Sequence, residues 1–109
     1  MAYLKGYNFE RTLKKKLEGD GWTVIRSGGS KKPDLVAAKD GKIIIIECKS
    51  TASNLVYLDK EEVNHLQKVA DAFGGECVYY VKKDNEGMRM VPLCELADSG
   101  KKFVLRLGD

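Results

Sequence analysis

Asp34, Glu47 and Lys49 could do chemistry together if the chain folds back on itself between the two acids. Asp40-Gly41 separates two β-rich runs, 34–39 and 42–49, and Asp-Gly in that setting is a strong signal for a two-residue hairpin turn. With that turn Lys39 faces Lys42 and, counting outward, Asp34 faces Glu47. Opposed side chains share one sheet face, with Cβ atoms about 5 Å apart. Strand alternation then puts Lys49 on the same face as Glu47. A slip of one residue would send the two acids to opposite faces. Facing carboxylates repel unless something cationic lies between them. Two readings stand: a divalent cation held by hard oxygen ligands, which suits Mg²⁺ or Mn²⁺, or an acid pair relieved by Lys49 alone.

The hairpin that carries these groups is apolar on both sides. Val36, Ala38, Ile43 and Ile45 continue the acidic row, while Leu35, Ala37, Ile44, Ile46 and Cys48 fill the other face. Such strands belong inside a sheet covered on both faces. Before them, Phe9, Leu13 and Leu17 recur at helical spacing with Lys14, Lys15 and Lys16 between, an amphipathic helix ended by Gly19 and Gly21. A strand at 22–26 and a loop at 27–33 follow. Residues 50–58 are polar and irregular until Leu55. A second helix starts near Asp59, with Asp59 and Glu62 spaced as an N-cap and its partner. Its stripe is Val63, Leu66, Val69, Ala70 and Phe73, and Gly74-Gly75 stop it. Strands at 77–81 and 88–91 and a last short segment at 103–107 complete the order α-β-β-β-α-β-β, which predicts one mixed sheet with helices packed on it.

The whole chain, residues 1–109, reads as a single domain. It has 43% apolar and 32% charged residues, enough for a core and too apolar for wholesale disorder. The longest uncharged apolar run is Ile43 to Ile46, far below the ~20 residues that span a bilayer. Met1 to Lys5 has no apolar signal region. A soluble, cytoplasmic domain without membrane attachment is expected. Cys48, Cys77 and Cys94 form no CxxC pair, and the chain has one histidine, so a disulfide framework and a zinc centre are both disfavoured. All three are expected as reduced, buried thiols. Residues 1–32 carry eight Lys or Arg against three acids, and residues 33–109 carry eleven against thirteen. A basic first third on a near-neutral body suits a polyanionic partner.

Pro33-Asp34, twelve residues, then Glu47-Cys48-Lys49 resembles the PD-(D/E)xK nuclease signature. Around it stand Gly6 with Glu10-Arg11 opening a helix, Arg26-Ser27-Gly28-Gly29-Ser30-Lys31-Lys32 before the Asp, Asp34-Leu35-Val36-Ala37 after it, and Phe73-Gly74-Gly75 later. Over roughly residues 5–83 the chain is similar to the archaeal Holliday junction resolvases. The resemblance implies a restriction-endonuclease-like α/β fold, a homodimer, and Mg²⁺-dependent cleavage of four-way junction DNA without a small-molecule cofactor. By motif position it implies that Glu10, Asp34 and Glu47 bind metal and that Lys49 assists the chemistry. It also implies that Ser30 is an active-site serine, and that Arg11 and Arg26 lie near the DNA backbone.

Lys31 and Lys32, in the same loop, would add phosphate contacts, which give affinity and salt dependence rather than base specificity. Ser30 is not read as a covalent nucleophile, because no His is in motif range to activate it. Glu10 lies one step off the apolar stripe of its helix and so can reach a site at the core's edge. His65 is read as structural, and Gln67 as a side chain that approaches the site. Leu55, Val56, Tyr57 and Leu58, with Phe103, Leu105 and Leu107, exceed what a small core needs, and some are expected to form the dimer interface.

The rival readings are another PD-(D/E)xK DNA nuclease of repair or restriction type, and a non-catalytic junction-binding module. A restriction enzyme is disfavoured because 109 residues leave no separate sequence-reading domain. A binding module has no reason to keep costly facing acids.

Overall fold

In a computed structural model, which describes residues 2–28 and 33–107 (side chains for 8–28 and 33–107), the hairpin forms in the expected register. Asp40 and Gly41 take φ of 51° and 81°, the left-handed pair that lets a two-residue turn match strand twist. Strands β2 (Leu35–Lys39) and β3 (Lys42–Thr51) then pair antiparallel, Leu35 with Ile46 and Lys39 with Lys42. Strand β1 (Thr23–Arg26) adds to the far side of β2, Arg26 opposite Leu35. One further bond, from the Ser27 N–H to the Asp34 carbonyl at 3.0 Å, ties the backbone of Asp34 into that ladder.

Helix α1 (Ala2–Gly19) lies on one face because Phe9, Leu13 and Leu17 need burial. They are at most 4% exposed, in a cluster with Val24, Leu35, Ala37, Ile46 and Val78. Helix α2 (Lys60–Phe73) covers the other face with Val63, Leu66 and Ala70, packed on Ile45, Cys77, Tyr79 and Val81. It returns the chain so that β5 (Glu76–Lys83) runs parallel beside β3, Glu47 next to Tyr79 and Lys49 next to Val81. Strand β6 (Met88–Pro92) closes the edge, and the five strands lie in the order β1-β2-β3-β5-β6. The sheet is mixed and flanked by helices, as expected, with β3 at its centre.

The structure differs from the sequence-based expectation after β3. Residues 55–58, apolar but given no element by the sequence, form with Asp59 strand β4 (Leu55–Asp59), which pairs with β8 (Lys102–Arg106), itself paired with β7 (Ala97–Asp98). A second, three-stranded sheet results. Leu58 and Leu105 are buried in the α2-side core, and Val56, Phe103 and Leu107 pack against it. Leu58 and Leu105 are therefore taken up by the core, while Val56, Phe103 and Leu107 are only partly buried and Tyr57 stays exposed. Phe73 is also exposed, at the last turn of α2, and Cys94 is exposed although all three thiols were expected inside. No helix among the described residues is long and apolar enough to cross a membrane.

The α2-to-β5 connection contains a position that tolerates no side chain. A Cβ on Gly75 would lie 2.9 Å from Ile43 Cβ and closer still to the Ile43 carbonyl oxygen. That clash sits beside the Ile44–Glu76 pair, where β3 and β5 begin to pair. Gly75→Ala is expected to destabilise the protein by about 2 kcal/mol through overpacking, lowering the thermal midpoint by about 10 °C. A midpoint within 2 °C of wild type in differential scanning calorimetry would contradict this account of the crossover.

Candidate active site

Asp34 and Glu47 meet at the open end of the β2–β3 hairpin. Asp34 stands just before β2, and its Oδ2 accepts the Cys48 N–H at 2.8 Å, which fixes the carboxylate against β3. Glu47 hydrogen-bonds Asp34. Its Oε1 is buried and has no hydrogen-bond partner among the described residues. Burial above all, then the bond to Asp34 and the Asp34 charge, raises the Glu47 carboxyl from 4.5 to about 9. Lys49 opposes that shift and Glu62 adds to it. The same negative potential, after burial, holds the Cys48 thiol far above its ordinary range, with Asp34, Glu10 and Glu47 contributing.

Lys49 reaches from β3 to α2, its Nζ 3.1 Å from Glu62 Oε1. The other oxygen of Glu62 accepts the Tyr79 hydroxyl at 2.8 Å. Tyr79 is fully buried and adjacent to Glu47 across the parallel ladder, and burial together with Glu62 pushes its phenol far up. It therefore stays a donor at any physiological pH. The spacing of Asp59 and Glu62 predicted a helix cap, but Asp59 makes no side-chain cap bond and lies 3.3 Å from Lys102 instead. Glu62 turns inward because two donors wait there. Sequence reading missed both Glu62 and Tyr79 as site residues; the missing information was that β5 pairs with β3.

A cleft of about 800 Å³ opens beside this group, lined by Glu47, Glu62, His65 and Lys101 among others. His65 is exposed on the cleft wall. Gln67 does not approach the site; it is exposed and donates to Asp71 one turn along the helix.

Glu10 stands on the α1 side of the sheet, where its Oε1 accepts Arg26 Nε at 2.7 Å. Three carboxylates in one cluster were expected, and the structure gathers two. Among the described residues no three His, Cys, Asp or Glu side chains are close enough to hold a metal. Glu10 is engaged instead by Arg26 in a charge-assisted bond. Arg11 is exposed on α1. Ser30, Lys31 and Lys32 lie outside the described residues. Lys14 pairs with Glu18 and Lys16 with Asp20 along α1.

An inward acid pair, a lysine on the same sheet face and a buried Glu47 oxygen without a hydrogen bond among the described residues mark the open end of the hairpin as the candidate site. The family model for the archaeal Holliday junction resolvase (Hjc) matches residues 1–107. The chain belongs to this family. Within it, the chain is 39% identical over 103 residues to the crossover junction endodeoxyribonuclease Hjc of Methanocaldococcus jannaschii, covering 94% of this chain and 77% of that one. It is 33% identical over 104 residues to the Hjc of Archaeoglobus fulgidus, covering 91% and 76%. The solved structure of Archaeoglobus fulgidus Hjc, a Holliday junction resolvase, superposes with a TM-score of 0.88 at 32% identity over 94% of this chain and 84% of that chain.

Resolvase nucleases of this kind depend on a divalent metal. The residues present fit one. Glu47 Oε1 is a buried acceptor in need of a partner, and the Asp34–Glu47 pair supplies the hard oxygen donors that such a cation takes. A cation there would also remove the electrostatic cost of ionising both acids.

Proposed function

We propose that the chain acts on four-way DNA junctions as a homodimer in Mg²⁺, each protomer hydrolysing one phosphodiester at the Asp34–Glu47–Lys49 end of β3. The chain is a DNA endonuclease of the Holliday junction resolvase type. What carries the location is the opposed acid pair, with its unsatisfied Glu47 oxygen and a lysine on the same sheet face.

Asp34 and Glu47 would hold the cation, with Mn²⁺ able to replace Mg²⁺, and Glu10 is the third carboxylate by its place in the family motif. When bound, such a cation lowers the pKa of water and polarises a phosphoryl oxygen. Lys49 orients the attacking water and stabilises charge that develops on the phosphorane. The hydrogen bond from the Cys48 N–H holds the Asp34 carboxylate in one rotamer, so the site does not reorganise as charge builds. Ser30 brings a hydroxyl to a phosphate near the scissile one. Arg11, Arg26, Lys31 and Lys32 bind the DNA backbone, which positions the junction without reading its sequence.

Two symmetric nicks turn a junction into two duplexes, and a two-fold dimer places two such sites on one assembly. Residues 1–109 form one nuclease domain in this account, working inside the cell wherever DNA recombines. A sedimentation profile with a monomer at micromolar concentration would remove the dimer.

The decisive assay for substrate is cleavage of a labelled four-way junction beside a linear duplex of the same sequence in Mg²⁺. Paired symmetric nicks in the junction alone are expected. Equal cutting of the duplex would leave a nuclease of repair or restriction type. Arg11→Ala is expected to weaken junction binding at low salt and to reduce the slope of log affinity against log salt by about 0.9, one phosphate contact. An unchanged slope would put Arg11 off the DNA path.

A further inference from the structure

We propose that Glu62 is a positioning residue for Lys49, locked in place by the buried Tyr79 hydroxyl. The inference rests on the reading of Lys49 as the lysine that serves cleavage. Three observations support it. Lys49 Nζ lies 3.1 Å from Glu62 Oε1, and Tyr79 Oη donates to Glu62 Oε2 at 2.8 Å, so both carboxylate oxygens are engaged. The two partners come from adjacent parallel strands, where Glu47 lies beside Tyr79 and Lys49 beside Val81. All of these side chains therefore share the α2 face. Finally, Glu62 sits in the first turn of α2, where the helix N-terminus favours a carboxylate. The helix that carries it is anchored by Val63 and Leu66, both buried.

A lysine on a flexible four-carbon stem has many rotamers, and one fixed geometry is costly to keep. Glu62 removes that freedom. With Tyr79 as a rigid donor behind it, the carboxylate holds the ammonium beside Glu47 rather than in open solvent. Losing the carboxylate releases Lys49; losing the Tyr79 hydroxyl loosens it. Such supporting partners typically change activity by about 10–100-fold without touching the substrate.

The test compares wild type with Glu62→Ala, Glu62→Gln and Tyr79→Phe, and with Lys49→Ala alone and combined with Glu62→Ala. Single-turnover junction cleavage and junction binding are read separately. So is the reactivity of Lys49 toward trace acetic anhydride, relative to the other lysines, in metal-free and DNA-free protein. Glu62→Ala should slow cleavage about 10-fold with junction affinity within about twofold. Tyr79→Phe should do the same more weakly, and Glu62→Gln should recover part of the loss. Glu62→Ala should cost nothing further once Lys49 is gone, because the two act as one unit. Lys49 acetylation should rise at least about threefold in Glu62→Ala.

Unchanged Lys49 reactivity in Glu62→Ala would overturn the proposal. So would a cleavage loss that adds fully to that of Lys49→Ala. If wild type failed to cut junctions, the nuclease reading would fall while the acetylation result still judged the pairing of Glu62 with Lys49.

Discussion

Asp34→Asn is expected to slow junction cleavage by at least about 10³-fold while leaving junction binding as tight as wild type or tighter. Asparagine keeps the shape of the side chain and an oxygen for the Cys48 N–H, so the hairpin end retains its geometry. What it loses is the charge that holds a cation opposite Glu47. Removing a negative charge near a polyanion strengthens attraction to phosphate, so binding and cleavage should move in opposite directions. Glu47→Gln should behave in the same way, for it removes the other half of the donor pair. Rates under single-turnover conditions, beside affinities measured in EDTA, separate the two effects. Cleavage by Asp34→Asn within tenfold of wild type would place the chemistry elsewhere.

The second large effect is on stability, and its sign follows from Glu47. In EDTA the folded protein holds this carboxyl at about 9 against 4.5 ordinarily. The folded state therefore binds the proton more tightly than the unfolded state. The stability this gives is complete below pH 4.5, falls as pH rises, and is gone above about pH 9. The slope available to one such group is about 1.4 kcal/mol per pH unit, and the expected loss between pH 6 and pH 8 is about 2–3 kcal/mol. Mg²⁺ should reverse it, because binding requires the ionised acid and releases the proton. At tenfold above its dissociation constant the ion adds about 1.4 kcal/mol, or about 6–10 °C in the thermal midpoint. That gain should be larger at pH 8 than at pH 6. Glu47→Gln should flatten the pH dependence in EDTA and remove the Mg²⁺ shift. An equal Mg²⁺ shift in wild type and Glu47→Gln would mean that the ion binds at another site.

The part of the site that lies within one hairpin was legible in the sequence. Asp40-Gly41 fixed a register, and everything within that hairpin followed from strand alternation: the opposed acids, Lys49 on their face, and two apolar faces that demanded cover. Phe9, Leu13 and Leu17 were legible for the same local reason, and all three are buried. What depended on distant pairing was not. Tyr79 reads as any apolar strand residue until β5 is known to lie beside β3. Glu62 reads as a helix cap until Lys49 and Tyr79 are known to face it. The second sheet was missed because β4 is only five residues long and gains its partner from β8, more than forty residues later. Its apolar residues then had no visible core, although Leu58 and Leu105 are buried in one. Glu10 shows the reverse case: its motif position suggests a metal ligand, while the structure pairs it with Arg26.

The claim on which the rest depends is that Asp34 and Glu47 together hold the divalent cation. Anomalous diffraction from crystals of the protein soaked in Mn²⁺ tests it directly. The account predicts a peak at coordination distance from both carboxylates, lost in Asp34→Asn crystals treated in the same way. A fully occupied Mn²⁺ peak elsewhere, with the Asp34–Glu47 end of the hairpin bare, would contradict it.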